Sequence, residues 1–282
     1  MDKLRIRNAL PSDHAAMLAL TRDVWEGTDY IPFVWDEWLR DAAGRFMSAV
    51  LDGRLVGLQH IERQPDSTAW VEGIRVAADL RDRGIGGRLL EEAVLWARQN
   101  GCSGLRLAMS SGNPASNRLA ERAGLRPLGT FASVQADPAP ATRDGARVAG
   151  PADFGRVMDV LSSSSPRGSS HCVYTEGWTA YTLTASRLRL LLAMGSVVLA
   201  QDAVAIATTT AARPSLRIGL LRGREDNMAG IARWLCGRAV DLGVATVRAN
   251  VESTAPVRSA LESSGFHSRH GNSMCLHGLH LG

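Results

Sequence analysis

Between Arg81 and Arg88 the chain reads Arg-Asp-Arg-Gly-Ile-Gly-Gly-Arg, a local excess of glycine and arginine that suits capture of a phosphorylated ligand. Glycine leaves the backbone bare. N–H groups that open a helix can then close on phosphate oxygens at the positive end of the helix dipole. Arg81, Arg83 and Arg88 add charge around that end. Two common glycine-loop motifs fit poorly: there is no Gly-x-x-x-x-Gly-Lys-Ser/Thr, and Gly84-Ile-Gly-Gly-Arg-Leu does not match Gly-x-Gly-x-x-Gly.

The flanking residues predict the elements that hold this turn. Val71, Ile74 and Val76 fit a buried strand, and Leu89, Leu90, Ala93, Val94 and Ala97 recur at helical spacing. Downstream, a strand over Leu105–Met109 precedes a helix in which Asn113 caps, Pro114 opens the first turn and Gly124 stops. Upstream, Leu4 to Arg7 reads as a strand, followed by Pro11-Ser-Asp13 and an apolar helix.

This succession resembles the GNAT superfamily of N-acetyltransferases, whose coenzyme motif is Arg/Gln-x-x-Gly-x-Gly/Ala after a strand ending in Val. The resemblance covers roughly residues 4–131. It implies an α/β fold of the α+β mixed-sheet kind, with acetyl-CoA as co-substrate. The coenzyme-binding positions it implies are Ile74, Arg75, Val76, Arg81, Asp82, Arg83, Gly84, Ile85, Gly86, Gly87, Asn113 and Ser116.

Acetyl transfer from a thioester to an amine needs a neutral amine, a stabilised oxyanion and a departing thiolate. For the first, Glu72 is the only carboxylate on the strand expected beside the thioester, and period-two alternation gives it one face with Ile74 and Val76. It is the expected general base, acting through a water. For the second, the resemblance implies a backbone N–H near Val76, and such a donor is typically worth about 2.7–4 kcal/mol. For the third, the Tyr that many relatives use is replaced here by Ala120. The thiolate then leaves unprotonated, or Ser116, Tyr30 or a water supplies the proton. Ala78 stands where the motif usually has Pro.

The stretch Trp25–Trp38 is dense in aromatic residues for a chain with 5% of them, and in this superfamily the region covers the acceptor. Tyr30, Pro32 and Trp35, with Asp29 and Asp36 nearby, would suit a cationic or aromatic amine. Gly27-Thr-Asp-Tyr-Ile-Pro32 and Val71-Glu-Gly-Ile-Arg-Val76 resemble members that acetylate free histidine, which implies an α-amino acid acceptor. Other members acetylate protein N-termini, polyamines or aminoglycosides. A non-catalytic acetyl-CoA sensor is the alternative from a different class.

With 282 residues, 45% of them apolar, the chain can form two ordinary cores. The pattern predicts a GNAT acetyl-CoA-binding domain over 1–135, a Pro/Ala/Asp linker over 136–145 and a degenerate GNAT-like copy over 146–282. Arg147-Val-Ala-Gly-Pro-Ala-Asp153 echoes Arg7-Asn-Ala-Leu-Pro-Ser-Asp13, and Ala255–Phe266 echoes Asn113–Leu125. The second copy lacks the cradle. After Leu216–Leu221 come Arg222-Gly-Arg-Glu-Asp-Asn227, with one glycine and two adjacent carboxylates that repel a diphosphate, and then a helical pattern over 228–242 without a glycine turn before it. This half is expected to bind no coenzyme and to wall the acceptor pocket of the first.

A formal charge of +4 and a pI near 9.2 come without long basic runs or an RNA-binding aromatic signature, so no nucleic-acid partner is expected. Neither a spanning run of apolar residues nor a signal peptide is read, giving a cytoplasmic protein, monomer or homodimer, with no membrane partner. Cys102, Cys172, Cys236 and Cys275 have no Cys-x-x-Cys spacing and read as reduced thiols. His267, His270, Cys275, His277 and His280 meet no zinc pattern, so no metal is expected. His171 and Cys172 are strand neighbours that face opposite sides, which argues against a Cys–His nucleophile.

Overall fold

The computed structural model describes residues 4–140, 145–164, 172–209, 215–268 and 273–282. The chain divides into two compact units. The first comprises Met1–Ala108, Asn113–Leu128 and His277–Gly282; the second comprises Met109–Gly112 and Gly129–Leu276.

The first unit runs β1 (Arg5–Asn8), α1 (His14–Thr21), α2 (Ile31–Arg40), β2 (Gly44–Leu51), β3 (Arg54–Arg63), β4 (Thr68–Val76), α3 (Ile85–Gln99), β5 (Gly104–Ser110), α4 (Pro114–Arg122) and the start of β6 (Arg126–Ala136). Strands β1 to β4 pair antiparallel in sequence order, whereas β4 and β5, joined through α3, are parallel. Helix α3 buries Leu89, Leu90, Ala93 and Ala97, while Val94 is half-buried. Helix α2 buries Ile31, Trp35 and Trp38, which pack with Met17, Phe46 and Leu58 in one apolar cluster.

The second unit continues with β7 (Arg147–Val148), α5 (Phe154–Ser163), β8 (Val173–Glu176), β9 (Thr179–Thr182), α6 (Ala185–Ala193), β10 (Val197–Ala200), β11 (Ala203–Thr209), β12 (Leu216–Gly223), α7 (Glu225–Asp241), β13 (Val247–Glu252), α8 (Ala255–Glu262), β14 (His267–Ser268) and the start of β15 (Met274–His280), whose residues from His277 on belong to the first. Alternation along its strands feeds two cores. Val198, Ala200, Ala203 and Ala205 pack with Met228, Ile231, Leu235 and Ala239 of α7. Val197, Leu199, Val204 and Ile206 pack with Val157 and Leu161 of α5 and Leu188 and Leu192 of α6.

The division differs from one drawn at the Pro/Ala stretch: residues 109–112 and 129–135 fall in the second unit and 277–282 in the first. Residues 129–135 belong to the second unit because β6 pairs with β13 from Phe131/Glu252 to Ala136/Val247. The chain's last residues belong to the first: Leu281 donates its N–H to the Ser103 carbonyl at 3.0 Å, and Gly278 lies against Leu128 and the Leu105 carbonyl. Strand exchange of this kind depends on long-range pairing that local composition does not carry. Within the proposed linker, residues 141–144 lie outside the described residues, as do His171 and His270. No helix among the described residues is long and apolar enough to cross a membrane.

Candidate active site

Strand β4 carries the site. Its parallel pairing with β5 runs from Thr68/Gly104 to Val71/Leu107 and stops one residue before Glu72. On its other edge it stays paired with β3, where His60 lies opposite Glu72 and Leu58 opposite Arg75. Three steps on β4 thus match two on β3. The extra residue is a β-bulge containing Gly73 at φ +67°, which only glycine adopts cheaply, and a Cβ there would meet the Trp38 ring at 2.7 Å. The bulge resets the alternation. Glu72 shares its side of the strand with Arg75, not with Ile74 and Val76 as strict period two requires; Ile74 and Val76 are half-buried.

Around Glu72 the side chains form a bonded group. The Tyr30 hydroxyl donates to Glu72 Oε2 at 3.4 Å. Arg75 makes two bonds to Asp29, from Nε at 2.7 Å and Nη2 at 2.9 Å, and Asp29 Oδ1 also accepts the Ile31 N–H at the start of α2. Trp25 is carried over the Arg75 guanidinium, at 4.6 Å, by a turn in which Trp25, Glu26 and Gly27 all have φ between +48° and +81°. Left-handed backbone at two consecutive non-glycine residues is strained and clusters at functional sites. Burial, the negative charge of Glu72 and, more weakly, that of Asp29 push the Tyr30 phenol well above its ordinary pKa, against the opposing charge of Arg75.

On the far side of Glu72, His60 is almost wholly buried, with Nδ1 3.8 Å from Glu72 Oε1 and Nε2 3.0 Å from Asp41 Oδ2. Its ring stacks on Trp38 at 4.5 Å and 4°. Two residues along β3, the carboxyl of Glu62 is raised from its ordinary range by burial first and then by the charges of Glu72, Asp41 and Glu37, with His60 opposing.

After Val76 a short 3₁₀ turn, Ala78–Leu80, leads into the glycine turn. Gly84 has φ +81°, Asp82 has φ +60°, and no side chain caps α3. The first-turn N–H groups of Ile85, Gly86 and Gly87 are therefore left without an intrahelical acceptor. A Cβ at Gly84 or Gly87 would meet nothing within 4 Å, so the backbone there faces open space. Gly86 instead permits a close approach, with Leu119 of α4 at 3.3 Å from its Cβ position. Asn113 caps α4 through the Ser116 N–H at 3.1 Å. Arg81, Arg83 and Arg88 are exposed, and Arg88 pairs with Glu91. An uncapped helix start with bare, open backbone fits a pyrophosphate.

The expected residues separate into those that meet at Glu72 and those that do not. Tyr30 reaches it, whereas the Arg75 side chain is committed to Asp29, leaving its backbone for any coenzyme contact. Trp35 turns inward, 3% exposed, against Phe46 at 5.0 Å; Pro32 sits half-buried in the first turn of α2; Asp36 is exposed. Trp38 takes the aromatic place beside the site, with Tyr30 edge-on at 5.8 Å. His60, Asp41 and Glu62 escaped the sequence reading. A signal for His60 existed: a turn at Pro65–Ser67 pairs residues equally far on either side, which sets His60 opposite Glu72. No group of His, Cys, Asp or Glu among the described residues could hold a metal ion.

Comparison with known proteins accords with this geometry. Residues 13–125 match the model of the acetyltransferase (GNAT) family. A histidine N-acetyltransferase of Oreochromis niloticus is 32% identical over 88 residues, which are 31% of this chain and 26% of that relative, so the matched stretch spans about a quarter of the relative's length. Among solved structures, a GCN5-related N-acetyltransferase from Sphaerobacter thermophilus is similar at a TM-score of 0.68, covering 99% of this chain and 96% of that one at 17% identity. A GCN5-related glucosamine N-acetyltransferase region of a fungal multi-domain β-N-acetylglucosaminidase aligns at 0.69, covering 99% of this chain and 38% of that one at 13% identity. The structural likenesses establish a mixed α/β fold over nearly the whole chain.

Proposed function

We propose that this chain, whose residues 13–125 belong to the acetyltransferase (GNAT) family, is an acetyl-CoA-dependent N-acetyltransferase that acts on the primary amine of a small molecule, with Glu72 as general base. One observation carries the reading: β4 parts from β5 immediately before Glu72 and runs on into the uncapped glycine turn. A carboxylate and a pyrophosphate cradle thus stand on the same short length of backbone.

In this reading acetyl-CoA supplies the activated acetyl group. The first-turn N–H groups of α3 hold its diphosphate, helped by Arg81 and Arg83, with Asn113 and Ser116 bordering the coenzyme from α4. The stretch Ile74–Val76, unpaired on the edge that faced β5, would lie along the thioester, where a backbone N–H would stabilise the oxyanion. Glu72 takes the proton of the attacking amine, directly or through a water. The carboxylates Glu72, Glu62 and Asp41 and the rings of Tyr30 and Trp38 favour an acceptor that arrives as a cation. A free α-amino acid such as histidine is the acceptor class suggested by the Oreochromis relative.

The second unit is read as a GNAT-like copy that binds no acetyl-CoA. Its opening repeats the first: Arg7 clasps Asp13, which accepts the Leu10 N–H at 2.9 Å, and Arg147 clasps Asp153, which accepts the Gly150 N–H at 2.9 Å. Its β12 and β13 pair in parallel only from Leu216/Val247 to Ile218/Ala249. Beyond that point the β8–β9 hairpin fills the opening. A Cβ at Gly219 would fall 1.8 Å from the Thr175 carbonyl, Thr175 Oγ1 donates to the Asn250 carbonyl, and Asn250 Nδ2 donates to the Gly177 carbonyl. Glu225 and Asp226 open α7 where α3 has glycines.

The test is release of free thiol from acetyl-CoA across a panel of amino acids, polyamines, aminoglycosides and N-terminal peptides, with Glu72→Gln as the matched variant. Turnover of a free amino acid by wild type, abolished by Glu72→Gln while calorimetric acetyl-CoA binding persists, supports the enzyme. Binding with no turnover of any acceptor supports a sensor.

A further inference from the structure

We propose that His60 is a positioning residue for Glu72, with Asp41 fixing its ring, an inference that rests on Glu72 being the base of the transfer. His60 is 1% exposed. Its Nε2 lies 3.0 Å from Asp41 Oδ2, while its Nδ1, buried as well, has no hydrogen-bond partner among the described residues and faces Glu72 Oε1 at 3.8 Å. Leaving a buried nitrogen unpaired is unfavourable. Here that nitrogen faces the one carboxylate whose proton count changes during turnover.

The ring cannot turn away from this arrangement. It is stacked on Trp38, and Phe46 closes on it edge-wise at 6.2 Å and 73°. Gly73 holds Trp38 close by admitting the bulge, and the strand register keeps His60 opposite Glu72. With Nε2–H donated to Asp41, the neutral form of the ring carries its lone pair on Nδ1. Glu62, two residues along β3, is the further carboxylate within electrostatic reach of the ring, so Nδ1 sits among carboxylates and is aimed at Glu72.

The proton transfer then balances. The N–H bond of the acceptor's ammonium breaks, an O–H bond forms on Glu72, and the amine keeps the electron pair with which it attacks the acetyl carbon. A carboxyl shift of roughly 1 Å brings that O–H within hydrogen-bond range of Nδ1. His60 thereby holds Oε1 in the protonated state, while the Tyr30 hydroxyl holds Oε2 in the ionised one. Orientation of this kind comes from a group that never touches the substrate.

Two readouts test it. In steady-state kinetics, His60→Phe, which keeps a ring against Trp38, is expected to lower kcat by ~10–100-fold with KM for acetyl-CoA within about twofold of wild type. Asp41→Asn, which keeps an oxygen for Nε2–H, should retain more activity than Asp41→Ala. Independently of turnover, ¹⁵N NMR of the His60 ring should show its Nδ1 signal moving in Glu72→Gln and its Nε2 signal moving in Asp41→Asn. An active wild type whose His60→Phe variant keeps kcat within about threefold overturns the proposal, as does a His60 ring unchanged by Glu72→Gln. If His60→Phe does not fold, Asp41→Asn against Asp41→Ala and the ring signals decide. If wild type turns over no acceptor, the enzymatic reading fails by itself, and the ring signals still decide whether His60 and Glu72 are coupled.

Discussion

The hydroxyl of Tyr30 lies 3.4 Å from Oε2 of Glu72, a residue 42 positions later in the chain. Burial, more than any other cause, keeps this phenol protonated, and the Glu72 charge adds to it. A group so reluctant to ionise serves as a hydrogen-bond donor to Glu72, the proposed base, and is poorly suited to protonate a leaving thiolate. That leaves Ser116, a water or unassisted departure for the thiolate. Tyr30→Phe is therefore expected to keep acetyl-CoA affinity and to lower kcat by about tenfold, the size of one hydrogen bond to a charged group. A loss of several hundredfold or more in kcat at unchanged affinity would give Tyr30 the acid's role after all.

The same shift predicts alkaline behaviour. Tyr30 and Tyr174 both have folded pKa values raised above the ordinary phenol, with burial the largest cause in each. A raised folded pKa means that the stabilisation is complete below the unfolded value, about 10, and is lost as pH rises toward the folded one. Above about pH 10 the unfolded chain releases these protons while the folded chain keeps them, so stability must fall with pH. Urea unfolding between pH 8 and 11 should show this decline, and Tyr30→Phe should make it shallower. A decline of the same slope in both proteins would mean that Tyr30 titrates normally.

Gly73 joins the bulge to the aromatic wall. Alanine there takes on a left-handed backbone, at roughly 1–2 kcal/mol, and puts a methyl 2.7–2.8 Å from two Trp38 ring carbons. Overpacking adds about 1–3 kcal/mol. Gly73→Ala should thus lose about 2–5 kcal/mol in denaturant unfolding, along with activity, because Trp38, His60 and Glu72 move together. A variant as stable as wild type would show that the bulge is dispensable.

What the sequence made legible follows this physics. The glycine turn was readable because glycines between a strand and a helix admit few structures, and the Asn113-Pro114 helix start and the Gly124 stop, at φ +84°, are local devices. Glu72 was readable as a strand carboxylate, but its direction was not. Period two placed it with Ile74 and Val76, and a single extra residue in the bulge turned it toward Tyr30, His60 and Arg75. Trp35 and Trp38 lie on one short helix and are both buried, so composition alone could not choose which borders the site. Asp29, Asp41 and His60 acquire meaning only from partners tens of residues away in the chain or across a strand register.

The second unit should remain empty at coenzyme concentrations that fill the first. Its opening between β12 and β13 is held by Thr175 and Asn250, and Gly219 is required because the Thr175 backbone crosses its Cβ position. Calorimetry is expected to give one acetyl-CoA per chain. Gly219→Ala should destabilise the hairpin contact and lower the thermal midpoint, without creating a second site, since Glu225 and Asp226 still open α7. A stoichiometry of two would contradict the degenerate-copy reading.

Gly87 separates a structural glycine from a functional one. It lies in the first turn of α3, where alanine is favoured over glycine by roughly 1 kcal/mol, and an added Cβ meets nothing within 4 Å. On stability grounds alone Gly87→Ala should be neutral or improving. If the turn holds a diphosphate, the same methyl stands where phosphate oxygens approach the bare N–H groups, and acetyl-CoA affinity should fall at least about tenfold, or ~1.4 kcal/mol. Gly86→Ala cannot make this distinction, because its methyl presses on Leu119 at 3.3 Å and disturbs the packing of α3 on α4. The measurement is a thermal midpoint and a calorimetric titration on the same Gly87→Ala preparation. A raised or unchanged midpoint with weakened binding assigns the glycine to the ligand, whereas unchanged binding removes the cradle from the proposed site.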